Sequence, residues 1–228
     1  MRNYADVLNR LALRRKQLRL TQSKFASAVG IEQEQYSYIE NGHVLISGCL
    51  LMKFADLGFN IDELITGKAY DFSSCSLENS INSIVSGDTR DFILKLLSEI
   101  ILKDFRNSPS EAPNSVLLLE TLNSSWDNFS MLRFVRSQLN LNQIDMSELL
   151  GLGIKKYRAL ERESIYPDAE ILLFLYDISG CQPSLFMNMP DRKLQIIKNV
   201  WETLSFEKQS ALLECISCLV KYAERLNI

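Results

Sequence analysis

Shifted against itself by 121 positions, the 228-residue chain repeats. Leu8, Leu11, Arg15, Leu18, Leu20 and Gln22 fall on Phe129, Leu132, Arg136, Leu139, Leu141 and Gln143, and the register runs on without a gap. Gly30, Ile31, Tyr36, Ile39 and Glu40 fall on Gly151, Leu152, Tyr157, Leu160 and Glu161; farther on, Asp56 and Leu64 fall on Asp177 and Leu185. A register that keeps Arg, Gln, Gly and Glu while exchanging one apolar residue for another marks one fold used twice. The chain is therefore expected to hold two copies of a small domain, over residues 1–70 and 122–189.

The centre of the first copy is Leu18 to Gly42, LRLTQSKFASAVGIEQEQYSYIENG. Thr21 is placed to cap a helix whose apolar side is Phe25, Ala26 and Val29, and Gly30 ends it where a left-handed turn needs no Cβ. A second helix, from about Gln33 to Asn41, turns Tyr36 and Ile39 inward at three-residue spacing and leaves Gln33, Glu34, Ser37 and Tyr38 outside. An outer face of amides, hydroxyls and a phenol, with no apolar anchor, suits hydrogen bonding to base edges better than burial against protein.

With these residues in view, Leu8 to Gly67 resembles the helix-turn-helix of the Cro and phage-repressor family, the xenobiotic-response-element type. In that family a Thr-Gln pair opens the second helix, a Gly closes it and the third helix ends in Glu-Asn-Gly. Thr21-Gln22, Gly30 and Glu40-Asn41-Gly42 meet all five positions. The resemblance implies an all-α fold of tandem five-helix domains. It implies that Gln22 and Asn41 bind phosphate or brace the readers, and that Gln33, Glu34 and Tyr38, with Gln35 and Ser37 beside them, face bases in the major groove. It also implies an ion pair of Arg15 with Glu40, recurring as Arg136 with Glu161, that fixes helix packing and stays off DNA.

The second copy departs where DNA would be read. Ile154, Lys155 and Lys156 replace Gln33, Glu34 and Gln35, and Arg162-Glu163 replaces Asn41-Gly42. Two readings stand. Lys155, Lys156 and Arg158 suit phosphates and Ile154 a thymine methyl, which makes a second, differently specific DNA reader. Alternatively this copy has left DNA and holds a protein partner.

Each copy is followed by apolar helical segments. Leu77–Val85 and Thr89–Arg106 read as a hairpin, residues 71–106, whose longer helix has Phe92, Ile93, Leu96, Leu97, Ile100 and Ile101 as an apolar stripe. Arg192–Leu204 and Phe206–Asn227 read as another, residues 190–228, with Ala211, Leu212, Leu213, Ile216, Leu219 and Val220. Such stripes serve a core within each half, join the halves, or make a homodimer. Asn107 to Asn114, rich in Pro, Ser and Asn, reads as the start of a linker over residues 107–121.

Charge narrows the partner. The net charge of −3 and pI near 5.4 oppose a generally basic nucleic-acid coat. Residues 1–70, however, carry nine Lys or Arg against seven Asp or Glu, whereas residues 71–120 carry four against eight and residues 121–190 six against eight. The basic end is the end with the complete motif. There Arg10, Arg14, Lys16 and Arg19 decorate the first helix, either as phosphate contacts or as a solvated face. His43 reads as a solvated loop residue.

Other classes lack their residues. Five scattered cysteines, Cys49, Cys75, Cys181, Cys215 and Cys218, read as small buried hydrophobes of a reducing compartment, and with one histidine neither a metal site nor a Ser-His-Asp array is expected. No P-loop or dinucleotide fingerprint occurs, so neither an enzyme nor a cofactor is expected. No run of 18 apolar residues occurs and the N-terminus lacks a secretion signal, so a cytoplasmic protein without membrane contact is expected. The expectation is a bacterial or phage transcription regulator, acting by repression, that binds double-stranded DNA through helix 33–41. It works as a pseudo-dimer within one chain or as a homodimer through the hairpins. The alternative is a protein-interaction module, an antitoxin-like or phage- or defence-associated partner binder, whose helix-turn-helix serves mainly autoregulation.

Overall fold

The computed structural model describes residues 3–68, 76–84, 86–106 and 114–226. Cys75, Val85, Asn227 and residues 107–113 of the expected linker lie outside them. Among the described residues all regular structure is helical. The helices are α1 (Tyr4–Gln17), α2 (Gln22–Val29), α3 (Gln33–Glu40), α4 (Gly48–Asp56), α5 (Ile61–Thr66), α6 (Ser76–Asn82), α7 (Gly87–Arg106) and α8 (Asn114–Ser124). They continue with α9 (Met131–Gln138), α10 (Gln143–Leu149), α11 (Ile154–Glu161), α12 (Ala169–Ser179), a 3-10 helix (Pro183–Phe186), α13 (Arg192–Trp201) and α14 (Phe206–Leu226).

The chain divides into two compact units. One joins Met1–Tyr70 with Ser130–Met189 and so contains both copies of the repeat; the other joins Asp71–Phe129 with Pro190–Ile228.

In the first unit the repeat reaches the backbone. Thr21 caps α2 by accepting from the Lys24 amide at 3.2 Å, and Gly30 closes it at φ +68°. In the second copy Asn142 and Asp145 make a reciprocal capping box on α10, and Gly151 stands at φ +63°. Arg19 and Asn140, equivalent in the register, both take positive φ, 56° and 53°. Gly42 and its counterpart Glu163 do so too, at 79° and 56°, so the second copy holds a side chain where the first needs none. Phe25, Tyr36, Phe54 and Phe59 form an aromatic core in the first copy, with ring centroids 4.9 to 5.6 Å apart. The fifth element is an α-helix in the first copy and a 3-10 turn begun by Pro183 in the second.

In the second unit α13 packs on α7 and α8, α8 packs on α7, and α14 packs on α6 and α7. The two hairpins, expected as appendages of separate copies, share this bundle. Residues 114–121, read from sequence as linker, belong to α8, where Val116, Leu118, Leu119 and Leu122 are buried. The run VLLLETL is apolar on more than one side and needs neighbours on more than one side, which a compositional search for Pro and Ser does not register. The bundle also takes in Trp126 and Phe129, and the unit that holds the second copy resumes at Ser130. Trp126 donates its indole N–H to Asp91 at 2.7 Å, and Lys193 reaches the same carboxylate at 2.6 Å.

The apolar stripe of α7 is rotated from its expected place. Ile93, Leu94, Leu97, Ile101 and Leu102 are buried, while Phe92 is 63% exposed. The cysteines also differ from expectation: Cys49, Cys215 and Cys218 are exposed and Cys181 is partly so. Helical spacing put them among apolar residues but could not tell which side of each helix meets a neighbour.

Candidate nucleic-acid interface

In each copy one carboxylate with a largely buried side chain, Glu40 or Glu161, ties down the third helix. Arg15 from α1 donates to Glu40 at 2.9 and 3.0 Å and also to the Leu20 carbonyl at 2.7 Å, which ties α1 and the end of α3 to the chain entering α2. Gln22 donates to the other Glu40 oxygen. The same arrangement recurs with Arg136, Glu161, Leu141 and Gln143. In the second copy Tyr157 adds a hydrogen bond to Glu161 at 3.0 Å. Burial raises the Tyr157 hydroxyl above its ordinary value, and the neighbouring Glu161 charge adds to this. The Gln22 amide nitrogen thus ties the start of α2 to the end of α3.

The outer face of α3 is thereby presented without being used for packing. Gln33, Glu34, Gln35, Tyr38 and Asn41 are exposed and Ser37 is half-buried. Tyr38 donates to Glu34 at 3.3 Å and Asn41 to Ser37 at 3.3 Å, so these side chains are lightly preorganised along the helix. The His43 ring stands edge-on to Tyr38, with centroids 6.0 Å apart. Glu32 caps α3 with no side-chain bond to its first amides.

The face of α11 has other chemistry. Lys155, Lys156 and Arg158 are exposed and Ile154 is half-buried. Arg158 donates to the Gln143 side-chain Oε1 at 3.2 Å, which extends the Glu161 network onto the surface. Lys156 lies 3.5 Å from Asp168, the cap of α12.

Two family models described as helix-turn-helix match the chain, one over residues 11–57 and one, a helix-turn-helix domain, over residues 130–192. Both copies are helix-turn-helix domains. No curated protein and no solved structure matches the chain. The two domains stand in tandem, as the 121-residue repeat requires, and give the chain the capacity of a DNA-binding regulator. Among the described residues no helix is long and apolar enough to cross a membrane, and no three potential ligands gather around a metal position.

Of the basic side chains on α1, Arg10 is directed inward and donates to the carbonyls of Leu64 and Ile65 at 2.7 Å, closing the end of α5. Arg14 lies over the Phe59 ring at 6.0 Å. Lys16 is exposed, and Arg19, read from sequence as part of the first helix, is exposed beyond its end at Gln17, with φ +56°. Sequence reading missed the residues that join the two domains, Gly48, Asp62 and Ser184. Only Gly48 carried a signal, since a glycine in the first turn of an apolar helix marks a close approach.

Proposed function

We propose that the chain is a cytoplasmic, sequence-specific double-stranded DNA-binding transcription regulator that acts by repression. The observation that carries this reading is the polar, exposed face of α3, held in place by the buried Arg15, Glu40 and Gln22 network. With α3 in the major groove, Gln33 pairs with adenine and Glu34 accepts from a cytosine amino group. Glu34 discriminates strongly because phosphates repel its charge elsewhere. On this reading the protein catalyses no reaction.

Selection of bound duplexes from a random pool, at two salt concentrations, tests this. The wild type should yield a motif that relaxes at defined positions in a Gln33→Ala, Glu34→Ala double variant, at a cost of about 1–3 kcal/mol per reader. Unspecific binding indifferent to that variant would sink the reading.

A second reading adds to the first. Phe206 is 83% exposed and Phe92 and Tyr222 each 63%, which suits a protein contact by the bundle, either a homodimer or another partner. Sedimentation of the wild type beside a Phe206→Ser variant separates the two, since only a homodimer changes mass in the absence of other proteins.

A further inference from the structure

The two helix-turn-helix domains touch partly through equivalent segments, with α12 also packed on α1 and α5. In the 121-residue register Ile46 and Gly48 match Pro167 and Ala169. The Ala169 amide donates to the Ile46 carbonyl at 3.0 Å. The Pro167 carbonyl in turn stands 2.6 Å from where a Cβ on Gly48 would lie. Each segment meets its own counterpart, and α5 likewise packs on its counterpart, the 3-10 helix Pro183–Phe186. Reciprocal contact at these places gives the two halves of one chain a local pseudo-two-fold relation, the pattern of an isologous interface.

Two departures from the repeat make the pairing one-sided. Asp62 is fully buried and accepts from the Ser184 amide at 2.7 Å and the Ser184 hydroxyl at 2.8 Å. Ser184 falls on Glu63 in the register, so two first domains from separate chains would set Asp62 against another carboxylate. A Cβ at Gly48 would stand 2.4 Å from the Tyr166 Cβ. Its counterpart is Ala169, so two second domains would drive that methyl into Tyr166. Each like pairing carries a penalty that the unlike pairing escapes.

This contact uses neither α3, which packs on α1 and α2, nor α11, which packs on α9 and α10. It sits at the loops that follow them, and their reading residues differ. We propose that one chain acts as a built-in dimer on an asymmetric duplex site. Helix α3 reads one half-site and α11, with Lys155 and Arg158, engages a second half-site of different sequence about one helical turn away. This rests on the DNA-reading function proposed above.

The test uses the full chain and the duplex motif recovered by selection. Native mass spectrometry should find one chain per duplex. Scrambling the second half-site, or inserting about half a helical turn between the half-sites, should each weaken binding about tenfold or more while the first half-site still specifies position. Two chains on a motif with two identical half-sites overturn the built-in dimer and leave the regulator reading intact. One chain indifferent to both DNA changes overturns it in the same way. Absence of any motif, including the first half-site, overturns both readings together.

Discussion

Glu161 is held by three side chains, Arg136, Gln143 and Tyr157, and only 3% of its side chain meets solvent. Burial works against its charge, but the hydrogen bonds from Arg136, Gln143 and Tyr157 outweigh burial and hold the carboxyl below the usual glutamate value. Its stabilisation is therefore complete above the ordinary pKa of 4.5 and fades as pH falls through the lowered value. A Glu161→Gln variant should lose this acid-dependent part of the urea midpoint. Glu161→Ala strands Arg136 and should cost about 3 kcal/mol in urea unfolding. At Gly48 the neighbours are Tyr166 Cβ and the Pro167 backbone, which cannot swing aside. Gly48→Ala should lower stability by about 1–3 kcal/mol, read as a fall in melting temperature. A melt unchanged by that methyl would mean the two loops do not meet.

At the scale of elements, caps and stops were legible and neighbours were not. Thr21, Gly30, Asn142 and Gly151 act on their own helices through local hydrogen bonds and backbone freedom, so the bounds of α2 and α10 follow from nearby residues. Helix α8 shows the reverse case. Its apolar residues fit the interior of the bundle, but the compositional break before them reads as the start of a linker. Leu119 is fully buried there. Leu119→Ala should cost about 2–5 kcal/mol, and a linker residue would cost almost nothing. Chemical denaturation followed by Trp126 and Trp201 emission distinguishes the two, because both indoles lie in the same unit. The α7 stripe makes the same point: helical spacing grouped Phe92 with Ile93, and in the bundle it is Leu94 that is buried while Phe92 is exposed.

For the molecule as a whole, the pairing of the two helix-turn-helix domains turns on Asp62. Desolvation raises its pKa above the ordinary aspartate value, although the Ser184 amide and hydroxyl pull it down. A carboxyl raised on folding adds stability in its protonated form, and that increment is lost as pH rises through the folded value. Relative to an Asp62→Asn variant, which keeps the shape and cannot titrate, the wild type should therefore gain stability on mild acidification, measured as the pH dependence of the urea midpoint. A constant difference between the two proteins would show that the carboxylate is not desolvated. What the sequence determined alone is what repeats or acts locally: two copies of one fold, the caps and glycine stops, the polar outer face of α3 and the altered face of α11. The Arg15 and Glu40 pair, and its recurrence as Arg136 and Glu161, came from the family resemblance and the repeat together. The tertiary structure decided what depends on partners distant in the chain. It brought the two domains together through Asp62 and Ser184, gathered both hairpins around α8, turned Arg10 inward onto α5 and left the cysteines of α14 outside. A sequence pattern gives the period of a helix, but burial is a property of two surfaces, and the second surface is known only once the chain has folded.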